Sequence, residues 1–253
     1  MMSRTSGLAL AASLLAIMPA WAGQSNSLLD LSRDGKQLLV ANTDNGTVTV
    51  IDVAQRRKVR EIAVGSQPEG VSWIGGGPLA LVTLYEEDTL ALVDTASGSV
   101  LTRRRVPADP YGVVTNAAGT RAWVSHDTPG VVTEWSLPEL ELVRTLAVAP
   151  FTRGLAVDQA EARLFATGYY TGTLHALDLK SGRVVDTWPG RDQDNLLRAV
   201  ALHPRRPKAY LPHLRSRVTA AHGFDLPARD GQRPGDQGRL PPPVYFHGHF
   251  QLP

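Results

Sequence analysis

Short runs of apolar residues alternate with turn residues along most of the chain, and within the runs the apolar positions recur with the period of two of a half-buried strand, not the 3.6 of a helix. The clearest unit places strands over residues 28–31, 36–42, 47–53 and 59–64, separated by Ser32-Arg-Asp-Gly35, Thr43-Asp-Asn-Gly46 and Ala54-Gln-Arg-Arg57. Asp-Gly and Asn-Gly pairs supply the positive φ that tight hairpins require. Two hairpins, and so four antiparallel strands, are predicted. The pattern returns over 79–84, 89–95 and 100–106, over 121–126, 131–137 and 142–148, and over 163–168, 173–179 and 184–188.

These units are copies of one another. Gly70-Val71, Gly112-Val113 and Gly154-Leu155 are spaced by 42 residues, and Ala199-Val200 follows 45 further on. The same step relates Asp52, Asp94, Ser136 and Asp178, relates Pro68 to Pro110, and relates Gly35, Gly77 and Gly119. Four-stranded units of this length that recur along a chain are the sign of propeller blades, because one small sheet cannot bury both faces without neighbours. A β-sandwich would not repeat its turn chemistry so strictly. The expected fold is therefore all-β: a propeller of four-stranded antiparallel blades, about four and a half of them, in an incomplete or open arc followed by an irregular tail. The expected division is a signal peptide at 1–22, blades over 23–213, and a Pro/Gly/Arg-rich irregular or disordered tail at 214–253, where Pro227, Pro234 and Pro241 to Pro243 mix with Gly231, Gly235 and Gly238.

The stretch Gly35-Lys-Gln-Leu-Leu-Val-Ala-Asn42, Val48-Thr-Val-Ile-Asp-Val53, Ile62-Ala-Val-Gly65 and Pro68-Glu-Gly-Val71 resembles the YVTN-type repeat. The signature strand reads Leu39-Val-Ala-Asn42, Leu81-Val-Thr-Leu84, Trp123-Val-Ser-His126 and Phe165-Ala-Thr-Gly168, so its large residue is kept while its asparagine mostly is not. The resemblance implies the propeller fold but not one function, since such propellers serve as binding proteins, surface proteins, lactonases and redox enzymes. The segments from Trp188 to Asn195 and from Lys208 to Thr219 resemble exported proteins in which a YVTN propeller precedes a c-type, often di-haem, cytochrome region. There, more blades follow where this chain turns to Pro, Gly and Arg. A truncated or frameshifted product and a natural short form both remain open. Open arc edges lead us to expect self-association or a partner that covers them.

At the N-terminus Arg4 precedes the apolar run Leu8 to Met18, then Pro19 and the small-x-small site Ala20-Trp-Ala22. This is the layout of a cleavable signal peptide, too short to span a bilayer, with cleavage expected after Ala22 and a periplasmic or secreted product. No later run is long enough for a membrane span. There is no cysteine, which excludes disulfides, thiolate metal sites and covalent c-type haem in this chain. The formal charge is +2 with acids and bases interspersed, giving no footprint for nucleic acid.

In a propeller blade, the connection from outer strand to next inner strand and the connection from second to third strand open on one face. The first set offers Glu69, Tyr111, Phe151, Arg153 and Arg198; the second offers Asp44, Asn45, Tyr85, Glu86, Glu87, Asp88, His126, Asp127, Tyr169 and Tyr170. Tyr85, Asp127 and Tyr169 share one repeat position, and an aromatic, charged rim suits recognition of a protein or a small molecule. The acidic turn Glu86-Glu-Asp88 supplies too few oxygens for calcium. Asp52, Asp94 and Asp178 occupy equivalent places in separate blades and are expected to bond backbone donors in their own turns. His126, His175, His203, His213 and the pair His247 and His249 do not recur at one repeat position, as channel ligands would. No Gly-x-Ser-x-Gly elbow or phosphate loop occurs. The expectation is an exported, non-catalytic binding platform without a cofactor. Its alternatives are the propeller portion of a c-type-haem redox protein whose haem region is absent here and, against the largely Val, Leu and Ala inner strands, a lactonase-type hydrolase.

Overall fold

The computed structural model describes residues 28–190, 196–204, 206–214 and 245–251; the expected signal peptide and most of the expected tail lie outside these residues. The first blade is built from β1 (Leu29–Leu31), β2 (Gln37–Asn42), β3 (Thr47–Asp52) and β4 (Arg57–Ala63), and the second from β5 (Pro68–Trp73), β6 (Leu79–Leu84), β7 (Thr89–Asp94) and β8 (Ser99–Arg105). The third comprises β9 (Pro110–Thr115), β10 (Arg121–His126), β11 (Val131–Ser136) and β12 (Glu141–Ala147), and the fourth β13 (Thr152–Val157), β14 (Arg163–Gly168), β15 (Leu174–Asp178) and β16 (Arg183–Trp188). A fifth sheet holds β17 (Ala201–Leu202), β18 (Lys208–Leu214) and β19 (Tyr245–Gln251). Every blade is an antiparallel meander in chain order, inner strand first, and among the described residues the sheets do not close into a ring.

Strand alternation builds the core between blades. In β6, Ala80, Val82 and Leu84 face the first blade, joining Leu39, Val48 and Ile62, while Leu81 turns to the third blade and joins Leu90, Val124 and Trp135. The joints between third and fourth and between fourth and fifth blades are filled the same way, around Trp123 and Leu164 and around Phe165 and Leu211. Each joint thus buries one face of two sheets, the condition that makes a blade stable only beside a neighbour. The outer strands remain exposed and are rich in Arg and Lys, which discourages edge pairing. Four of their arginines also reach across: Arg60 donates to the Ser97 carbonyl at 3.3 Å, Arg103 to that of Val64 at 2.6 Å, Arg104 to that of Leu140 at 3.1 Å, and Arg144 to that of Leu179.

At the inner end a hydroxyl fastens three of the four joints between blades. Thr83, Ser125 and Thr167, all fully buried, accept the N–H of Gly70, Gly112 and Gly154 at 2.7, 2.8 and 2.8 Å. The same hydroxyls donate to the next blade, at the carbonyls of Tyr111 (2.6 Å) and Arg153 (2.5 Å) in its inner strand and of Leu197 (3.2 Å) just ahead of it. The glycines are needed because the neighbouring backbone passes where a Cβ would stand: it would collide with the carbonyl oxygens of Tyr111 and Arg153 at Gly70 and Gly112, and lie 2.6 Å from Ala199 Cα at Gly154. Asp52, Asp94 and Asp178 each accept an N–H in their own turn, from Gln55 (2.7 Å), Ala96 (2.9 Å) and Ser181 (2.7 Å).

The chain beyond 214, expected to be irregular, contributes β19, which pairs with β18 from Lys208↔Gln251 to Leu214↔Tyr245. An unpaired β18 edge is a template for any extended segment that can reach it, and that pairing outweighs the weak local strand signal of a run containing Gly248.

Thr83→Val should leave the Gly70 N–H and the Tyr111 carbonyl without a buried partner and cost about 1–3 kcal/mol in denaturant unfolding. Thr83→Ser, which reproduces the arrangement at Ser125, should cost much less.

Candidate functional site

The inner strand of each blade enters through a repeated irregularity. Gln67, Asp109, Phe151 and Leu196 take left-handed φ of 49°, 55°, 63° and 59°, a conformation that non-glycine residues adopt at a cost. The first three present their carbonyls to the N–H groups of Tyr85 (3.0 Å), Asp127 (2.9 Å) and Tyr169 (2.9 Å), residues that directly follow β6, β10 and β14. Two residues later the register shifts, between Pro68 and Val71 and between Thr152 and Leu155, so Glu69 and Arg153 sit in β-bulges beside the joint glycines. Tyr111 lies at the corresponding interruption. A bulge re-aims its side chain out of the ladder. Two rows of side chains are thereby brought to one mouth of the arc, and the second-strand row of each blade meets the inner-strand row of the next.

Their identities make the third-to-fourth joint the centre of the site. Arg153 donates through Nε and Nη2 to Asp127 Oδ2 at 3.1 and 2.7 Å, and the two side chains are only 12% and 3% exposed. The Arg153 guanidinium carbon lies 3.6 Å from the ring centroid of Tyr169 and 4.5 Å from that of Tyr111, so the cation is held against two aromatic faces. Tyr85 donates to Asp127 Oδ2 at 3.4 Å and meets Tyr111 edge-on at 6.3 Å. Burial, with the Asp127 charge adding to it, pushes the Tyr85 hydroxyl up to about 12. Asp127 Oδ1 is buried with no hydrogen-bond partner among the described residues. Exposed Arg198 approaches the outer side of this cluster, 5.9 Å from the Tyr169 centroid. Tyr169 and Phe151 both pack edge-on against Tyr170, at 4.7 and 4.8 Å, and Tyr170 and Phe151 are 45% and 38% exposed.

The structure thus unites Tyr85, Tyr111, Asp127, Arg153, Tyr169, Tyr170 and Arg198. It sets Asp44, Asn45 and Glu86 apart in a groove of about 630 Å³ between the first two blades, with Glu69 half-buried in its bulge. Glu87 and Asp88 are occupied with backbone: Glu87 accepts the Ser66 N–H at 2.6 Å and pairs with Arg103 at 3.0 Å, and Asp88 accepts the Asp109 N–H at 3.1 Å.

His126 belongs to the blade interior, not to the face. It is fully buried, its Nδ1 is 3.0 Å from the Pro107 carbonyl, and its Nε2 is 2.9 Å from Thr133 Oγ1. Asn42 holds the same repeat position in the first blade and bonds Thr49 Oγ1, seven residues on, at 2.8 Å. His126 therefore performs the asparagine's structural task. Burial holds its imidazole below the ordinary histidine range.

The channel side carries a group that the sequence reading passed over. Asp30 lines a cavity of about 750 Å³ bounded by the inner strands of all five blades. Its Oδ2 accepts the Trp73 N–H at 2.8 Å and lies 3.4 Å from Ser72 Oγ, and burial raises its pKa above the usual carboxylate value. The signal was the 42-residue step from Asp30 to Ser72, inside strands that otherwise read as apolar.

Blades of one repeated pattern, arranged in an arc around such a channel, define a β-propeller. A family model described as YNCE-like beta-propeller matches residues 10–79, and the repeat that runs through the later blades is similar to the YVTN type. No curated protein sequence matches it. Solved structures share the fold. Kuenenia stuttgartiensis hydrazine synthase is 22% identical with a TM-score of 0.69, covering 89% of this chain and 62% of that one. The β-propeller domain of Cps50 (Swd1) from Myceliophteria thermophila is 15% identical, TM-score 0.61, covering 75% and 62%. A chain of a mitotic checkpoint complex is 16% identical, TM-score 0.61, covering 73% and 56%. The chain spans less than two thirds of the length of each of these.

Asp127→Ala and Arg153→Ala should each cost about 3 kcal/mol in unfolding, since either leaves a buried charge alone, whereas the double variant should lose less than the sum of the two. His126→Asn should keep neutral-pH stability while removing part of the loss seen as pH falls below about 6.5, because a buried imidazole with a lowered pKa stabilises only above its unfolded value. Urea unfolding across pH reads this directly.

Proposed function

We propose that this protein is an exported, non-catalytic binding platform whose working surface is the loop face. The observation that carries the proposal is the cluster of Tyr85, Tyr111, Asp127, Arg153 and Tyr169, fixed across three blades at one mouth, with the exposed aromatics Phe151 and Tyr170 beside it. Tyrosine and arginine anchors held rigid before binding lose little entropy on association, which is why such residues dominate interface energetics. No helix among the described residues is long and apolar enough to cross a membrane. A partner or second copy that covers the open end of the arc belongs to the same reading.

A second reading, as the propeller portion of a c-type-haem redox protein, draws on the sequence resemblance and on a similar structure being that of an enzyme, hydrazine synthase. A haem absorbance that co-purifies with the native protein would favour it. The lactonase-type reading finds two carboxylates, Asp30 and Asp158, among the described residues lining the channel cavity; lactone cleavage that depends on added metal would favour it.

The platform reading is tested with a photo-reactive benzoylphenylalanine at the position of Tyr170 on the loop face or of Lys180 on the opposite face. In the native compartment, adducts should form from the first position and not the second. Equal labelling from both, or none from either, would refute the assignment of the face.

A further inference from the structure

The loop face has two poles, and their chemistry specifies the ligand. At the fourth and fifth blades stands Arg198, exposed and without an ion-pair partner among the described residues. Its neighbour Arg153 is neutralised by Asp127, so of these two arginines at the mouth Arg198 is the one that keeps its charge. At the first and second blades, Asp44 and Glu86 are exposed, unpaired among the described residues, and share one groove. Between the poles lie the tyrosines and the aromatic edge of Phe151 and Tyr170.

We infer that the mouth binds an extended peptide segment of a protein partner, with an acidic residue at Arg198, an aromatic or aliphatic residue over Phe151 and Tyr170, and a basic residue at the Asp44 and Glu86 groove. This rests on the platform reading and gives its ligand a class and a direction. Charge complementarity selects the class. A polyanion such as nucleic acid or an anionic lipid surface would be drawn to Arg198 but repelled by Asp44 and Glu86, whereas a peptide can offer both signs in order. Asp127 adds a demand of its own. Its Oδ2 carries three donated hydrogen bonds and its buried Oδ1 none, an arrangement that calls for a donor. A backbone N–H of the bound peptide supplies one.

The test uses the full mature chain and a positional library of short synthetic peptides with a central tryptophan, read by fluorescence anisotropy. The parent protein should select acidic residues on one flank and basic residues on the other. Arg198→Glu should weaken the selected peptides about tenfold, roughly the effect of turning one rim charge contact from attractive to repulsive, and should reverse the preference on the acidic flank only. Asp44→Lys with Glu86→Lys should reverse the basic flank only. Unchanged thermal unfolding of these surface variants excludes a folding defect. Peptide binding without charge preference, or a preference that Arg198→Glu leaves intact, would overturn the two-pole ligand while leaving the platform standing. No binding to any peptide would also overturn it, and the platform falls with it only if the Tyr170 position yields no adduct either.

Discussion

At three of the four joints a single hydroxyl holds together what the hydrophobic effect only pushes together. Thr83, Ser125 and Thr167 accept from a glycine of their own inner strand and donate to a carbonyl of the next blade, so each is satisfied only when two blades sit at one separation. Apolar packing between sheets is tolerant of sliding; a buried hydroxyl with two backbone partners is not. The glycines follow from this, since the approach that makes the bond leaves no room for a Cβ. The first joint lacks the hydroxyl, because Ala41 stands at that position. Backbone replaces it there: the Leu28 N–H donates to the Glu69 carbonyl at 3.1 Å, and Thr43 Oγ1 donates to that of Pro68 at 3.1 Å. Each joint is complete in itself, which is why an arc can be ordered along its length without closing.

The candidate site is a by-product of the same joint. Bringing the next inner strand close requires a sharp entry, and the left-handed residue and the bulge provide it. The left-handed carbonyl then pins the residue after the second strand, and the bulge turns the residue before the glycine out of the ladder. Backbone requirements thus fix two rows of positions whatever their side chains. Evolution is left to choose identities, and at the third-to-fourth joint it chose an acid, a base and tyrosines that satisfy one another.

The repeat was fully legible because turn chemistry and strand alternation are local. The 42-residue step placed the joint glycines and the row of Tyr85, Asp127 and Tyr169 correctly. What local pattern cannot carry is contact between blades. Arg153 and Tyr169 were both on the expected face, yet nothing in their spacing says that one covers the other. His126 was placed on that face by its loop position, although its seven-residue spacing to Thr133 repeats that of Asn42 to Thr49 and marks it as interior. Asp30 was hidden in an apolar strand, and β19 by the long stretch separating it from its partner.

Fixed backbone with free identities also explains why the poles of the face differ. Glu69, Tyr111, Arg153 and Arg198 occupy one repeat position in four successive blades, and an acid gives way to an aromatic and then to two bases along the arc. A symmetric scaffold with identical side chains at this position would present no direction to a ligand. Arg153 removes one of the two positive charges by pairing inward and becomes part of the wall. The remaining charge, Arg198, stands at the end of the row opposite Glu69, so the order of blades in the chain becomes an order of charge across the mouth. Directionality on this face is therefore written in four residues, each two positions after a left-handed residue at the entry to its blade.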